Sequence, residues 1–77
     1  MTKPQEKMLL SVAAGADVNV IAQVARITGG VTERRTAQTI LALYKQRYLE
    51  IAKGGGLEIS AKGVEAAAKL ANQKETK

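Results

Sequence analysis

The hydrophobic period of the chain changes from 3.6 to 2 after the third predicted helix, and this change limits the folds that the chain can adopt. Apolar and polar side chains alternate in YLEI (48–51) and again in LEI (57–59), with the glycine-rich segment KGGG (53–56) between them. Alternation with a period of two is typical of half-buried strands, and a short glycine-containing interval is typical of a hairpin turn. The sequence therefore predicts one two-stranded hairpin, with a buried face made of Leu49, Ile51, Leu57 and Ile59.

The segment before the hairpin has the helical period of 3.6, so the predicted class is α+β and mainly α. A first helix is predicted over 4–14, with Gly15 as its stop and with one apolar face made of Met8, Leu9, Val12 and Ala13. A second helix is predicted from Val18 to about Ile27, because Asp17 is a suitable N-cap.

Two further helices complete the prediction. Thr32 is expected to cap a third helix over 33–47, whose inward face is Ala37, Ile40, Leu41 and Tyr44. Ser60 is expected to cap a last helix over 61–72, whose inward face is Val64, Ala67, Ala68 and Ala71. We therefore predict a single domain over 1–72 and a flexible tail over 73–77.

Composition excludes several functions. The chain of 77 residues has no cysteine and no histidine, so disulfides, thiol nucleophiles, the usual zinc ligands and the commonest general base are all absent. Its two serines, Ser11 and Ser60, lie in a helix and at a cap, and its carboxylates are scattered singly. We therefore expect no enzyme activity, no cofactor and no metal site.

The start of the chain, MTKPQEK, is charged, and no later apolar run approaches the about 20 residues that cross a bilayer. We therefore expect neither a signal peptide nor a membrane span, and the expected location is the cytoplasm.

Positive charge is concentrated in the middle of the chain. Twelve basic and seven acidic residues give a net charge of +5, and the segment 26–53 has six of the basic residues and two of the acidic ones. That balance favours a polyanionic partner, although it is also compatible with an ordinary solvated surface. The only aromatic residues are Tyr44 and Tyr48, which argues against proteins that stack single-stranded bases on aromatic rings.

Two glycines and three arginines stand close together in RITGGVTERR (26–35). A phosphate-binding loop would need G-x-x-x-x-G-K-[ST], or G-x-G-x-x-G after a strand, and neither spacing is present. Gly29 and Gly30 are better interpreted as the stop of the second helix and the bend of a helix-turn-helix.

The outward face of the third helix is polar and without acidic residues. Successive residues advance by about 100°, which groups five side chains opposite the predicted apolar face: Arg35, Gln38, Thr39, Ala42 and Gln46. An α-helix fits the major groove of B-DNA, where arginine pairs with guanine, glutamine with adenine, and threonine with the methyl group of thymine. This face predicts contact with double-stranded DNA.

The order of helices and hairpin resembles the winged helix-turn-helix superfamily, and small prokaryotic or phage-type members in particular. The resemblance is carried by IAQVARITGGVTERRTAQTILAL (21–43) and by YLEIAKGGGLEISAKGVEAA (48–67), whose Y-L-E, turn, L-x-I-[ST]-x-K-G pattern is similar to strand, wing, strand and last helix. It implies a recognition helix in the major groove with base-contacting positions at Arg34, Arg35, Gln38 and Thr39. It also implies a wing from Lys53 through Gly54 and Gly55 to Gly56 that contacts the DNA backbone.

The sequence departs from the compact form of this motif. An apolar residue is expected six positions after the turn glycine, where this chain has Arg35, and Ala37 is the predicted inward residue. The spacing therefore predicts a turn that is longer by one or two residues.

The function predicted is sequence-specific binding of double-stranded DNA by a small transcriptional regulator. Arg35, Gln38 and Thr39 would read bases, while phosphates would be neutralised by Arg34, Lys45, Arg47, Lys53 and Lys62. Two alternatives stay open: a protein-interaction winged helix, such as a phage-type inhibitor of a host DNA-processing enzyme, and an excisionase-like factor that bends DNA. The narrow, alanine-rich last helix also suits a homodimer on a palindromic site.

Overall fold

The residues that the structure describes form four helices and one hairpin. A computed structural model describes residues 1–75, with side chains described for 1–73. Within this range the elements are α1 (Lys3–Ala13), α2 (Val18–Thr28), α3 (Gly30–Lys45), β1 (Leu49–Ile51), β2 (Leu57–Ile59) and α4 (Ala61–Glu75). The fold is therefore α+β and mainly helical, which confirms the predicted class. None of these helices is long and apolar enough to cross a lipid bilayer.

The starts of α1 and α2 are fixed by side-chain caps. Thr2 and Gln5 form a capping box, in which each side chain accepts a hydrogen bond from the backbone amide of the other residue. The Asp17 carboxylate accepts a hydrogen bond from the backbone amide of Asn19 at 2.8 Å, so the predicted cap of α2 is confirmed.

The bend between α2 and α3 is shorter than the sequence predicted. Gly29 is the only residue between the two helices, and Gly29 and Gly30 have φ angles of +70° and +61°. Side chains other than glycine rarely adopt such angles, so the two glycines reverse the chain within two residues. The predicted longer turn is therefore wrong. Thr32 does not cap α3 either, because the N-cap position belongs to Gly29 and has no side-chain hydrogen bond.

The end of α3 also differs from the prediction, since the helix stops at Lys45 instead of residue 47. Arg47 has a φ angle of +69°, and its amide donates to the carbonyl oxygen of Tyr44 at 2.9 Å. The amide of Tyr48 donates to the carbonyl oxygen of Leu43, also at 2.9 Å. These two bonds form the Schellman motif that normally ends in glycine, so Arg47 occupies a position that glycine would favour.

The hydrophobic core lies where α1, α2, α3, β1 and α4 meet. Its buried members, contributed by five elements, are Leu9, Val12, Val18, Leu43, Leu49 and Ala67. In α3 the buried residue is Leu43, with Ile40 half-buried beside it, whereas Ala37, Leu41 and Tyr44 are exposed. The predicted inward face of α3 is therefore wrong in three of its four positions. The reason is that α3 packs against both α1 and α2, so two partners together determine which side of the helix is buried.

The hairpin is antiparallel, with Leu49 opposite Ile59 and Ile51 opposite Leu57. Leu49 is buried, and Leu57 and Ile59 of β2 are half-buried. Ile51, in contrast, is 66% exposed. The predicted buried face is therefore correct except at Ile51, which lies at the end of β1 and lines an open groove between α2, α3 and the hairpin. The hairpin is confirmed.

The last helix is capped as predicted but is rotated and longer. The Ser60 hydroxyl accepts from the Gly63 amide at 3.0 Å. Ala67 is buried and Ala71 half-buried, while Val64 and Ala68 are exposed, so half of the predicted inward face is wrong. Gly63 is buried at the start of this helix, and a Cβ there would collide with the Tyr48 carbonyl oxygen, so the observed packing requires glycine. The helix continues to Glu75, past the predicted end at 72, and residues 76 and 77 of the predicted tail lie outside the described residues.

Candidate nucleic-acid interface

One exposed line of side chains runs along α3. Arg34, Gln38, Leu41 and Lys45 are spaced i, i+4, i+7 and i+11, which places them within a narrow arc of the helix surface. All four are exposed, and none is acidic. We call these four residues the α3 ridge.

The cations of the ridge are not neutralised by acids nearby. Among the side chains of 1–73 the structure has one ion pair, between Lys69 and Glu65 on α4 at 4.0 Å, and it is highly exposed. Arg34 and Lys45 therefore have no ion-pair partner within that distance in the described range. A cation that is exposed and unpaired is available to a phosphate or to the edge of a base.

One flank of the ridge faces α1, and two of the predicted base-reading residues lie there. Arg35 and Thr39 line depressions between α1 and α3. Thr39 is half-buried, and its hydroxyl donates to the carbonyl oxygen of Arg35 at 2.9 Å. Of the predicted outward stripe, only Gln38 lies on the ridge itself.

The remaining two members of that stripe are not outward. Ala42 and Gln46 are half-buried, and the Gln46 amide nitrogen donates to the Gln5 side-chain oxygen at 3.3 Å and to the Ala42 carbonyl oxygen at 3.1 Å. Gln46 therefore joins α3 to α1, and neither Ala42 nor Gln46 presents much surface to a ligand.

The opposite flank of the ridge is an open apolar groove between α2, α3 and the hairpin. It is lined by Ala22, Ala37, Ile40, Leu41, Tyr44, Ile51 and Leu57. Leu41 is 50% exposed and Tyr44 is 40% exposed, which is unusual for large apolar side chains that lie side by side.

The junction between α3 and β1 brings two of the predicted phosphate contacts together. Lys45 and Arg47 line one shallow cleft with Glu50, and both basic side chains are exposed. This cleft begins at the end of the ridge, because Lys45 belongs to both. The residues that follow the turn at Arg47 lead directly into the hairpin.

The hairpin tip contains the predicted wing residues Lys53, Gly54 and Gly55, all exposed. The tip is a hydrogen-bonded turn, in which the Gly55 amide donates to Ala52 and the Ala52 amide donates to Gly56, each at 3.0 Å.

On the strands behind this tip, Glu50 and Glu58 stand directly opposite each other and are exposed. Like charges in such a pair repel each other. Because the charged residues of both strands are acidic, Lys53 at the tip supplies the positive charge of the hairpin.

Asn19, which the sequence analysis did not single out, attaches the hairpin to α2. Its side-chain oxygen accepts from the Leu57 amide at 2.8 Å, and its side-chain nitrogen donates to the Leu57 carbonyl oxygen at 3.0 Å. The same nitrogen donates to Asp17 at 2.9 Å. Hydrogen bonds from the backbone and side chain of Asn19 lower the pKa of Asp17. The only sequence signal for this contact is an asparagine two residues after a helix cap.

Two residues of the L-x-I-[ST]-x-K-G pattern, Ser60 and Lys62, hydrogen-bond to the backbone at the end of α3. The Ser60 hydroxyl donates to the Arg47 carbonyl oxygen at 2.6 Å, and the Lys62 ammonium donates to the Gln46 carbonyl oxygen at 2.9 Å. The same ammonium lies 5.1 Å from the centre of the Tyr48 ring. Lys62, predicted as a phosphate contact, is thus held at the end of α3, where a cation favours the helix dipole.

No group of three or more side chains suited to holding a metal ion occurs among the described residues. Comparison of the chain with protein-family models, with curated protein sequences and with solved structures gives no match.

Proposed function

We propose that this protein is a small winged helix-turn-helix protein that binds double-stranded DNA sequence-specifically and regulates transcription. The architecture supports this proposal through the element order, the tight bend between α2 and α3, and the hairpin between α3 and α4. In this assignment α3 is the recognition helix and the hairpin is the wing.

The observation that carries the proposal is the α3 ridge. It places an arginine and a glutamine, Arg34 and Gln38, one turn apart on an exposed and acid-free helix surface. These are the side chains that recognise guanine and adenine through paired hydrogen bonds in the major groove. Leu41 on the same line offers an apolar contact to a thymine methyl group.

The contacts divide into two kinds. Arg34 and Gln38 read base edges, while Lys45, Arg47 and Lys53 neutralise phosphates on either side of the groove. This division changes the roles expected from the sequence, because Arg34 replaces Arg35 as the base-reading arginine. Thr39 is assigned no base contact, since its side chain is half-buried and lies in the depressions between α1 and α3.

Selection of bound duplexes from a random pool tests the proposal. The wild-type protein should enrich a defined motif, and Arg34→Ala and Gln38→Ala should each relax the preference at one base position, at a cost of about 1 to 3 kcal/mol. Lys69→Ala is the matched control, because Lys69 is an exposed cation on α4. Enrichment of no motif at any salt concentration would refute sequence-specific binding. If the protein bends duplexes but enriches no motif, the alternative of an excisionase-like factor that bends DNA would be favoured.

A protein-interaction module is the second candidate, and the apolar groove beside the ridge favours it. The lining of the groove is almost entirely apolar. Leu41 forms part of this lining, and Lys45 follows Leu41 one helical turn later on the α3 ridge. An apolar groove with a cationic rim suits an amphipathic segment of a partner that has acidic residues at its edges. Ile51→Ser changes this groove and leaves the ridge intact. A partner whose binding is lost in Ile51→Ser, with DNA binding absent in wild type, would favour the second candidate.

A further inference from the structure

A groove between α1 and α3 has the chemistry of an anion site. Two adjoining depressions share Pro4, Arg35 and Thr39 in their walls, so they form one continuous groove. We call it the α1–α3 groove. Two of its side chains are cations, Lys7 from α1 and Arg35 from α3, and both are exposed.

No carboxylate lines the α1–α3 groove. Its other walls are apolar side chains, hydroxyls and amides, among them Ser11, Gln38 and Thr39. Glu6, which precedes Lys7 on α1, lines a neighbouring depression with Lys7 but makes no ion pair with it within 4 Å. The lining of the α1–α3 groove therefore has two positive charges and no negative one.

Two hydroxyl groups of the groove already donate hydrogen bonds within their own helices. Ser11 donates to the Lys7 carbonyl oxygen and Thr39 to the Arg35 carbonyl oxygen, each at 2.9 Å. The strong donors that remain for an incoming anion are the ammonium of Lys7 and the guanidinium of Arg35. Such a pair suits the spread charge of a phosphodiester.

The position of the groove points to a particular anion. Gln38 belongs both to the groove wall and to the α3 ridge, so a duplex seated on the ridge would bring its sugar-phosphate backbone to the groove. We propose that Lys7 and Arg35 bind a phosphodiester of the duplex next to the base pairs read by α3. This inference rests on the proposed function, and it makes α1 a second DNA-contacting helix.

Salt-dependent fluorescence anisotropy with a labelled duplex tests the inference. Each lost phosphate contact should reduce the slope of log K against log salt by about 0.9. Lys7→Gln and Arg35→Gln should each show that reduction, and the double variant about twice as much. The loss should be equal on selected and random duplexes. Lys7→Arg should retain the wild-type slope, and Lys69→Gln, with the same change in net charge, should retain it too.

Failures of the two proposals are distinguishable. Wild-type binding with an unchanged slope in Lys7→Gln would overturn the groove assignment and leave DNA binding intact. Altered base preference in Arg35→Gln, with an unchanged slope, would make Arg35 a base contact and also overturn the assignment. Absence of wild-type binding at low salt would overturn both proposals. Circular dichroism of each variant checks that the fold is retained.

Discussion

Arg47 holds a backbone conformation that favours glycine, so its replacement by glycine separates stability from DNA binding. The residue has a φ angle of +69° and ends α3 in a Schellman motif. Its side chain is exposed and lines the cleft at the start of the hairpin. Arg47→Gly should remove the steric cost of this φ angle, and it should also remove one phosphate contact.

The expected stability change follows from two opposing effects. A non-glycine residue in the left-handed region costs about 1 to 2 kcal/mol. Glycine adds freedom to the unfolded chain, which offsets about 0.4 to 1 kcal/mol of that gain. The net effect is a stabilisation of about 1 kcal/mol, which raises the unfolding midpoint of a domain of this size by about 4 to 8 °C.

Arg47→Ala is the matched control because it removes the same charge and keeps the unfavourable conformation. Thermal unfolding followed by circular dichroism should show Arg47→Gly clearly above both wild type and Arg47→Ala. Anisotropy titrations should show equal weakening of DNA binding in the two variants, with a salt slope reduced by about 0.9 in each.

Two results would refute this reasoning. Equal midpoints for the glycine and alanine variants would mean that the cost of the left-handed conformation at Arg47 is no larger than the offset from the unfolded chain. Wild-type DNA affinity in either variant would mean that Arg47 does not contact phosphate, and its exposed charge would then have no role in binding.

Three further substitutions test the joints of the fold and its pH dependence. Asn19→Leu removes both hydrogen bonds to Leu57 and should cost about 1 to 3 kcal/mol in urea unfolding; an unchanged midpoint would show that the hairpin does not need this contact. Gly63→Ala should destabilise by about 1 to 3 kcal/mol through collision with Tyr48, although alanine favours helix formation, and a raised thermal midpoint would contradict the close approach. Because hydrogen bonding lowers the pKa of Asp17, its stabilising effect is complete above the unfolded pKa of about 4 and is lost as the pH falls through the lower folded value. Stability measured between pH 6 and pH 2 should therefore fall less in Asp17→Asn than in wild type, and parallel curves would exclude this contribution.

Local signals in the sequence were sufficient to predict the order of elements and several of their ends. Asp17 and Ser60 cap α2 and α4 as predicted, because a cap depends on a side chain and on amides two or three residues away. The alternating pattern on both sides of the glycines likewise predicted the hairpin. These features need no knowledge of distant residues.

The rotation of α3 could not be predicted in the same way. Periodicity assigned Leu41 and Tyr44 to the core because they are large and apolar, yet both are exposed, and Thr36 and Thr39 are half-buried. The rotation depends on the simultaneous contacts of α3 with α1 and α2, which a pattern within one helix does not contain. The same rotation moved Arg34 onto the ridge and Arg35 toward α1.

The pairing of two cations in the α1–α3 groove also could not be predicted from local sequence patterns. Lys7 and Arg35 are far apart in the chain, and only the packing of α1 on α3 brings them into one groove. Asn19 and Leu57 are separated by 38 residues and meet for the same reason.

The most direct test of DNA binding through α3 is an NMR titration of isotope-labelled protein with a duplex. We expect the chemical shifts of Arg34, Gln38 and Lys45 to change most, together with those of the hairpin tip, while the exposed face of α4 around Lys69 stays unchanged. Changes confined to α4 or to the apolar groove, or no change with any duplex at low salt, would contradict the account.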